Sequence, residues 1–345
     1  MVKPVIALSC SGEGLGHASR MVSLCTALQE QYHCVIWCPD SVRDFFVEKV
    51  PGITIFSVPL TRLIKRHNRV NVPLTIMSNL WTRLVMHRGL AAVREQFKSH
   101  AIKALIADYE PMTCLVAKSL NIPVIAFNHQ GILDRFKCRS LSDVVGWGAN
   151  RFMLPHFDHE IVSSFYNGDV GPLIRQQVMS QVPKTDDFVF VYAKPTFQSI
   201  VTRIRTHCPT VDFRWFPNPS MQMESAMAAC KAVVAPAGHQ LLSEALVLKK
   251  PIFCVPEQWQ AEQQLNARMI EKSGWGMMGH PHTIESQFED FMATLSAYPK
   301  PSDPNYHFCL TNDIDRAVLR VTAVLTECLN QVDIISQSEC ATLIG

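Results

Sequence analysis

The chain has 345 residues, 48% of them apolar, and a formal net charge of +2. That length allows two α/β domains with substantial cores, and so balanced a charge gives no electrostatic footprint for nucleic acid. No stretch is long and uncharged enough to span a bilayer, and the twelve cysteines, scattered singly with no CxxC pair, read as reduced buried thiols.

Met1-Val2-Lys3-Pro4 runs straight into an apolar segment, so no signal peptide is expected and a cytoplasmic setting follows. Residues 5–9, 34–38 and 53–58 read as the first three strands, and 104–107 and 123–127 as the next two. Helical patterns fit between most of them, which predicts a parallel sheet with right-handed crossovers. Gly171-Pro172-Leu173-Ile174-Arg175 reads as a linker, after which 188–192, 211–215, 232–235 and 252–255 form a second strand series. Residues 310–329 read as a terminal helix. The expected fold is α/β, with two Rossmann-like domains over 1–170 and 171–308 facing across a cleft, and a helix and tail over 309–345.

The first candidate site follows the first strand. Cys10-Ser11-Gly12-Glu13-Gly14-Leu15-Gly16-His17 is glycine-rich, and Ala18, Met21, Leu24, Cys25 and Leu28 then recur at helical spacing. A dinucleotide fingerprint would carry a further glycine where His17 stands, because helix and strand must pack closely there. The imidazole argues against NAD or FAD and puts a titratable ring at a helix N-terminus. Histidine suits general-base work because its unperturbed pKa lies near 6.5; the plainer reading is a helix-cap histidine. In a doubly wound sheet the first and fourth strands are neighbours at the switch point. Asp108 ends the fourth strand and is a candidate to orient His17, with Glu110 as its rival. Asp108 reads equally well as a helix N-cap before Pro111. Asn128-His129-Gln130 follows the fifth strand, where His129 either lines an acceptor pocket or closes a polar loop.

Between these segments, 62–69 is basic and is followed by Pro73-Leu74-Thr75-Ile76-Met77 and Leu80-Trp81. Basic residues beside apolar ones suit a peripheral contact with anionic lipid over 62–81. A solvated loop before an ordinary packed helix is the simpler alternative.

The most specific pattern lies in the second half. Lys231 to Ala235 is a buried-strand run, and Ala237-Gly238-His239-Gln240-Leu241-Leu242-Ser243-Glu244 follows it. Gly238 leaves room for close approach of a ligand to the backbone. The helix opening near His239 offers unpaired N–H groups and a positive dipole end, which stabilise a pyrophosphate. Gln240 and Glu244 share one helix face. Glu244 lies about 7–9 Å further along the axis at 1.5 Å per residue, a suitable place to accept hydrogen bonds from ribose hydroxyls. Pro256 ends the next strand, and Glu262-Gln263 open a second helix toward the same crevice, where they suit sugar hydroxyls. Asn266 reads as a local brace of that loop. No set of metal ligands accompanies the phosphate site.

Residues 232–274 resemble the donor-binding region of the GT-B glycosyltransferase superfamily, and of its MurG-like branch acting on a lipid-linked acceptor in particular. The resemblance implies that Gly238 faces the pyrophosphate, Glu244 holds the ribose, and Glu262 and Gln263 hold the transferred sugar. It places the loop carrying Gly14, Gly16 and His17 beside the acceptor, makes the first domain the acceptor side, and implies a terminal helix crossing back to that domain. One departure concerns the plant-type pattern, which has a histidine two residues before the glycine and a small hydroxyl residue three after it. Here Pro236 and Leu241 stand there, so phosphate contacts fall to backbone amides and to His239 or Gln240. The expected function is transfer of a sugar from a nucleotide diphosphate, uridine being the commonest in the family, to a hydroxyl acceptor. Inversion is expected, with His17 as base and Asp108 as its partner, and neither metal nor other cofactor is required. The acceptor is a glycan, a lipid-linked molecule or a small molecule, and a cell-envelope role at the inner face of the membrane is consistent with it. Nucleotide-sugar hydrolysis by the same histidine, and non-catalytic nucleotide-sugar binding, are the alternatives.

Overall fold

A computed structural model describes residues 3–61, 64–66, 69–137 and 140–342. The chain opens with β1 (Val5–Cys10), α1 (Leu15–Leu28), β2 (His33–Cys38), α2 (Arg43–Lys49) and β3 (Thr54–Ser57). A short hairpin, β4 (Lys65–Arg66) and β5 (Arg69–Val70), precedes the long α3 (Val72–Ser99). Then come β6 (Ala104–Asp108), α4 (Pro111–Ser119), β7 (Val124–Asn128), α5 (Leu141–Met153) and β8 (His159–Val162). These strands, the hairpin aside, form one parallel sheet in the order β3-β2-β1-β6-β7-β8. The strand order reverses between β1 and β6, which pair in register Leu8 to Ile106 and Cys10 to Asp108.

The rest of the chain runs α6 (Gln176–Met179), β9 (Val189–Tyr192), α7 (Gln198–His207), β10 (Phe213–Phe216), α8 (Met223–Ala229) and β11 (Ala232–Pro236). It continues through α9 (His239–Val247), β12 (Ile252–Val255), α10 (Ala261–Lys272), β13 (Gly276–Met278), α11 (Ile284–Ala293) and α12 (Ile314–Thr342). The second sheet is parallel with order β10-β9-β11-β12-β13 and reverses between β9 and β11. Ligands of doubly wound sheets bind beyond the carboxyl ends of the strands at such reversals. Those ends carry the loop into α1 and residue Asp108 in the first sheet, and Lys194 and Gly238 in the second.

Both sheets are covered on their two faces, so their strands are apolar runs rather than alternating ones. β1, β6, β7, β11 and β12 are buried almost throughout. Besides the β4–β5 hairpin, two strands of the parallel sheets escape the sequence pattern: β8 begins with the polar pair His159-Glu160, and β13 is Gly-Met-Met, which lacks β-branched residues. The terminal helix α12 starts four residues later than its periodicity predicts. Ala317, Val321, Leu325 and Cys328 bury one face against Leu24 and Leu28 of α1 in the first domain's core. This is the expected return crossing, driven by burial of an apolar stripe. Ahead of α12, Asp313 Oδ2 accepts from the Gly171 N–H at 2.6 Å and Asn312 Oδ1 from the Ile174 N–H at 3.0 Å. These two contacts fix the segment that joins β8 to the second series.

Candidate active site in the interdomain cleft

A cavity of about 890 Å³ opens between the two sheets. On the first-domain side, Gly14 caps α1 with φ of +80°, a left-handed conformation that glycine adopts without strain. His17 sits in the first turn, 8% exposed, and its Nδ1 lies 2.9 Å from Asp108 Oδ1. The pairing of β1 with β6 brings them together across ninety-one positions of sequence. Asp108 is fully buried and also accepts from Arg20 Nε at 2.9 Å and Arg20 Nη2 at 2.8 Å. Burial alone would push the Asp108 carboxyl up; Arg20 and then His17 hold it below the usual carboxylate range. Glu110 takes the capping role instead, accepting from the Met112 and Thr113 N–H groups at 2.9 and 2.8 Å at the start of α4. Burial pushes its carboxyl up. Of the two acids considered from sequence, Asp108 is the one that meets His17.

Tyr109 follows with φ of +62°, rare for a bulky residue, and its ring stacks on His17 at 5.9 Å and 7°. Arg20 and Tyr109 were not foreseen. A signal for Arg20 existed, since i and i+3 share a helix face, but nothing local says which acid it meets.

On the other side, Gly238 caps α9 in an extended conformation (φ −74°, ψ 129°) open to any residue. A Cβ there would meet nothing within 4 Å, so its glycine provides room at the helix tip. Glu244 is 1% exposed and grips Arg175 of the interdomain segment, Oε1 accepting from Nε and Oε2 from Nη2, both at 2.7 Å. Arg175 Nη1 reaches Glu224 at 2.5 Å. Gln240 Nε2 donates to Glu244 Oε1 and to the Leu173 carbonyl, each at 3.0 Å. The Gln240 amide and Glu244 are therefore tied into a protein network as well as lining the cavity. At Gly16 a Cβ would lie 3.5 Å from Gln240 Cβ, so the N-terminal ends of α1 and α9 meet across the cleft. Lys194, beyond β9, lines the same space.

His239 lines the cavity, but its imidazole packs into the domain interface. It stacks on His129 at 3.7 Å, and its Nε2 accepts from the Phe165 N–H at 3.2 Å. Burial, with the positive neighbours around it, holds its pKa well below the ordinary value. His129 is fully buried, Nδ1 facing the Ser163 carbonyl at 3.1 Å and Nε2 facing Asn266 Oδ1 at 2.9 Å; burial lowers its pKa too. Both histidines line the cavity while their rings pack against each other at the domain interface.

Asn266 does more than brace a loop. Its Oδ1 accepts from the Tyr166 hydroxyl at 2.7 Å, and its Nδ2 donates to the Ala237 carbonyl at 3.0 Å and Glu262 Oε1 at 2.9 Å. With His129 this joins the two domains at one fully buried amide. Buried polar groups left unpaired cost roughly 1–3 kcal/mol each, so Asn266→Ala should lose about 3 kcal/mol in urea unfolding. A loss under about 1 kcal/mol would show the node to be dispensable. Glu262 lines the cavity, 3.7 Å from His129 Nε2, and Gln263 lines it while accepting from the Glu257 N–H at 3.0 Å.

The first-domain wall of the cavity has an apolar stretch built from Leu133, Val145, Ala149, Phe152 and Met153. In the basic region, Arg62, Leu63, His67 and Asn68 lie outside the described residues, as do the side chains of Lys65, Arg66, Ile76, Leu80 and Trp81. Arg69 lies over Trp259 at 5.6 Å, and the Val70 N–H donates to the Gln258 carbonyl at 2.9 Å. Leu74 and Met77 are 48% and 66% exposed. Among the described residues no helix is long and apolar enough to cross a membrane, and no group of three or more His, Cys, Asp or Glu is placed to hold a metal.

Comparison with known proteins adds a family. An uncharacterised glycosyltransferase of Methanosarcina mazei is 24% identical over 320 residues, covering 77% of this chain and 83% of that protein. Phytolacca americana UGT2, solved with UDP-2-fluoro-glucose and pterostilbene, shares the fold with a TM-score of 0.60 at 14% identity, over 85% of this chain and 90% of that one. MurG of Acinetobacter baumannii does so with a TM-score of 0.59 at 10% identity, over 93% of this chain and 100% of that one. The family model described as glycosyl transferase family 1 matches residues 5–296. The two facing Rossmann-like sheets and this match together make the chain a GT-B glycosyltransferase that belongs to glycosyl transferase family 1.

Proposed function

We propose that this glycosyltransferase moves a sugar from a nucleoside diphosphate, uridine diphosphate first among them, to a hydroxyl acceptor with inversion at the anomeric carbon. The observation that carries this reading is that His17, backed by the buried Asp108, stands in one cavity with Gly238, Glu244, Glu262 and Gln263. With Nδ1–H donated to Asp108, the imidazole lone pair lies on Nε2, which takes the acceptor proton as the hydroxyl attacks. The diphosphate sits where the ends of α1 and α9 meet, and their partly positive tips stabilise the charge growing on the leaving group. Lys194 adds a cation to that region. This supply of positive charge is the basis for proposing that no metal is needed. Glu244 receives ribose hydroxyls while Arg175 holds it in place, and Glu262 and Gln263 receive those of the sugar.

Transfer is favoured over hydrolysis by the apolar wall along α5, which water would not require and an acceptor body would. Exposed Leu74 and Met77 near Arg69 support a peripheral membrane contact for a lipid-linked acceptor, and the cytoplasm is the setting this chemistry fits. A thermal-shift series with UDP, GDP, dTDP and their sugars tests the donor site, since a bound ligand raises the melting temperature by mass action. No shift with any of them would refute the reading.

Gly238 supplies a sharper test. Because a Cβ there points into open space, Gly238→Ala should leave the melting temperature of the free protein unchanged. It should weaken nucleotide binding about tenfold, or about 1.4 kcal/mol. Unchanged affinity in calorimetry would move the diphosphate away from the α9 tip.

A further inference from the structure

Arg20 is almost completely buried at the cleft, 3% exposed, and spends Nε and Nη2 on a single carboxylate. It stands on the same face of α1 as His17, and its Nη2 lies 3.4 Å from His17 Nδ1. We propose that Arg20 is a positioning residue for the His17–Asp108 pair. It fixes the carboxylate plane so that Oδ1 meets the Nδ1–H, and it keeps neutral pH from loading the pair with an extra proton. This inference rests on His17 being the base and adds a residue to that site.

The physical case is electrostatic and geometric. A carboxylate with no solvent contact holds its charge only if paired. His17 supplies one neutral hydrogen bond, whereas the planar guanidinium supplies a full positive charge and a fork matched to the carboxylate. The other titratable groups facing the pair are Cys10 on β1, Tyr109 and Glu110 beyond β6, and His239 and His129 from the interface, whose pKa values burial and the Arg20 charge hold down; none of them bonds Asp108 with a positive charge. Without Arg20, His17 is the ring bonded directly to the Asp108 carboxylate, so the missing positive charge is restored most readily by a proton on that pair. Such a pair titrates as a unit. A loaded pair has no lone pair on Nε2 and cannot accept the acceptor proton.

The titration at the centre of the test needs no acceptor. In ligand-free, full-length protein labelled with ¹⁵N-histidine, the His17 ring nitrogens are assigned by their loss in His17→Ala and followed against pH. Arg20→Met should move the proton uptake of the pair upward by about one to three pH units, the size of effect a charge within 4–6 Å produces. Arg20→Lys, which keeps a cation in a wrong shape, should move it less. It also decides the matter if the methionine variant does not fold. An unchanged His17 titration in either folded variant overturns the inference. With UDP-glucose as titrant, donor affinity should stay within twofold in both, and a large loss of affinity would instead make Arg20 a donor ligand. If His17→Ala retains full turnover, the base assignment falls. If His17→Ala is inactive and Arg20→Met leaves the titration unmoved, only the role of Arg20 falls.

Discussion

His17→Ala is expected to lower turnover by about 10²–10⁴-fold, the contribution of a positioned general base. Nucleotide affinity should stay within twofold, because the side chains proposed to hold the donor lie on α9 and α10 and the α1 tip would meet the diphosphate through backbone N–H groups that the substitution leaves in place. The melting temperature should change little, since the ring is held by one hydrogen bond and one stacking contact. His17→Asn keeps a polar group but no base and should behave like alanine. Steady-state rates paired with calorimetry of UDP separate these quantities. Turnover within threefold of the parent would remove His17 from the chemistry, and loss of UDP binding would reassign it to the donor site.

The second large effect belongs to Arg175. It is the buried counter-charge of Glu244, whose side chain is 1% exposed against 17% for Arg175. Removing one partner of such a pair strands the other, which typically costs about 3–5 kcal/mol. Arg175→Met should lose that much in chemical unfolding, as Glu224 also loses its partner. The double change Arg175→Met with Glu244→Gln should recover a large part, since no unpaired charge remains on α9. It should not recover nucleotide binding if Glu244 holds ribose. A single-variant loss under about 1 kcal/mol would mean that water enters and solvates Glu244.

The domain layout was open to reading because strands buried on both faces are written as unbroken apolar runs, as in VIALSC of β1 and AVVAP of β11. The glycine before α9 and the acid six residues on were readable for a similar reason: their geometry is set by one helix. Arg20 with Asp108, Arg175 with Glu244, and Asn266 with Tyr166 and His129 were not. Each joins residues 69 to 137 positions apart, and composition offers many acids and amides as partners. His239 shows the same limit. Its position at a helix tip suggested a phosphate ligand, yet stacking on His129 turned its ring into the interface.

By itself the sequence determined two parallel sheets, the glycine-opened helices at their edges and the residue types facing the cleft, because periodicity and helix-end chemistry act over a few residues. Tertiary structure alone decided which carboxylate meets His17, which cation neutralises Glu244 and how one amide fastens the domains. Those choices depend on strand order and on desolvation, and a buried charge or amide takes as partner whatever the packed fold brings within hydrogen-bonding reach.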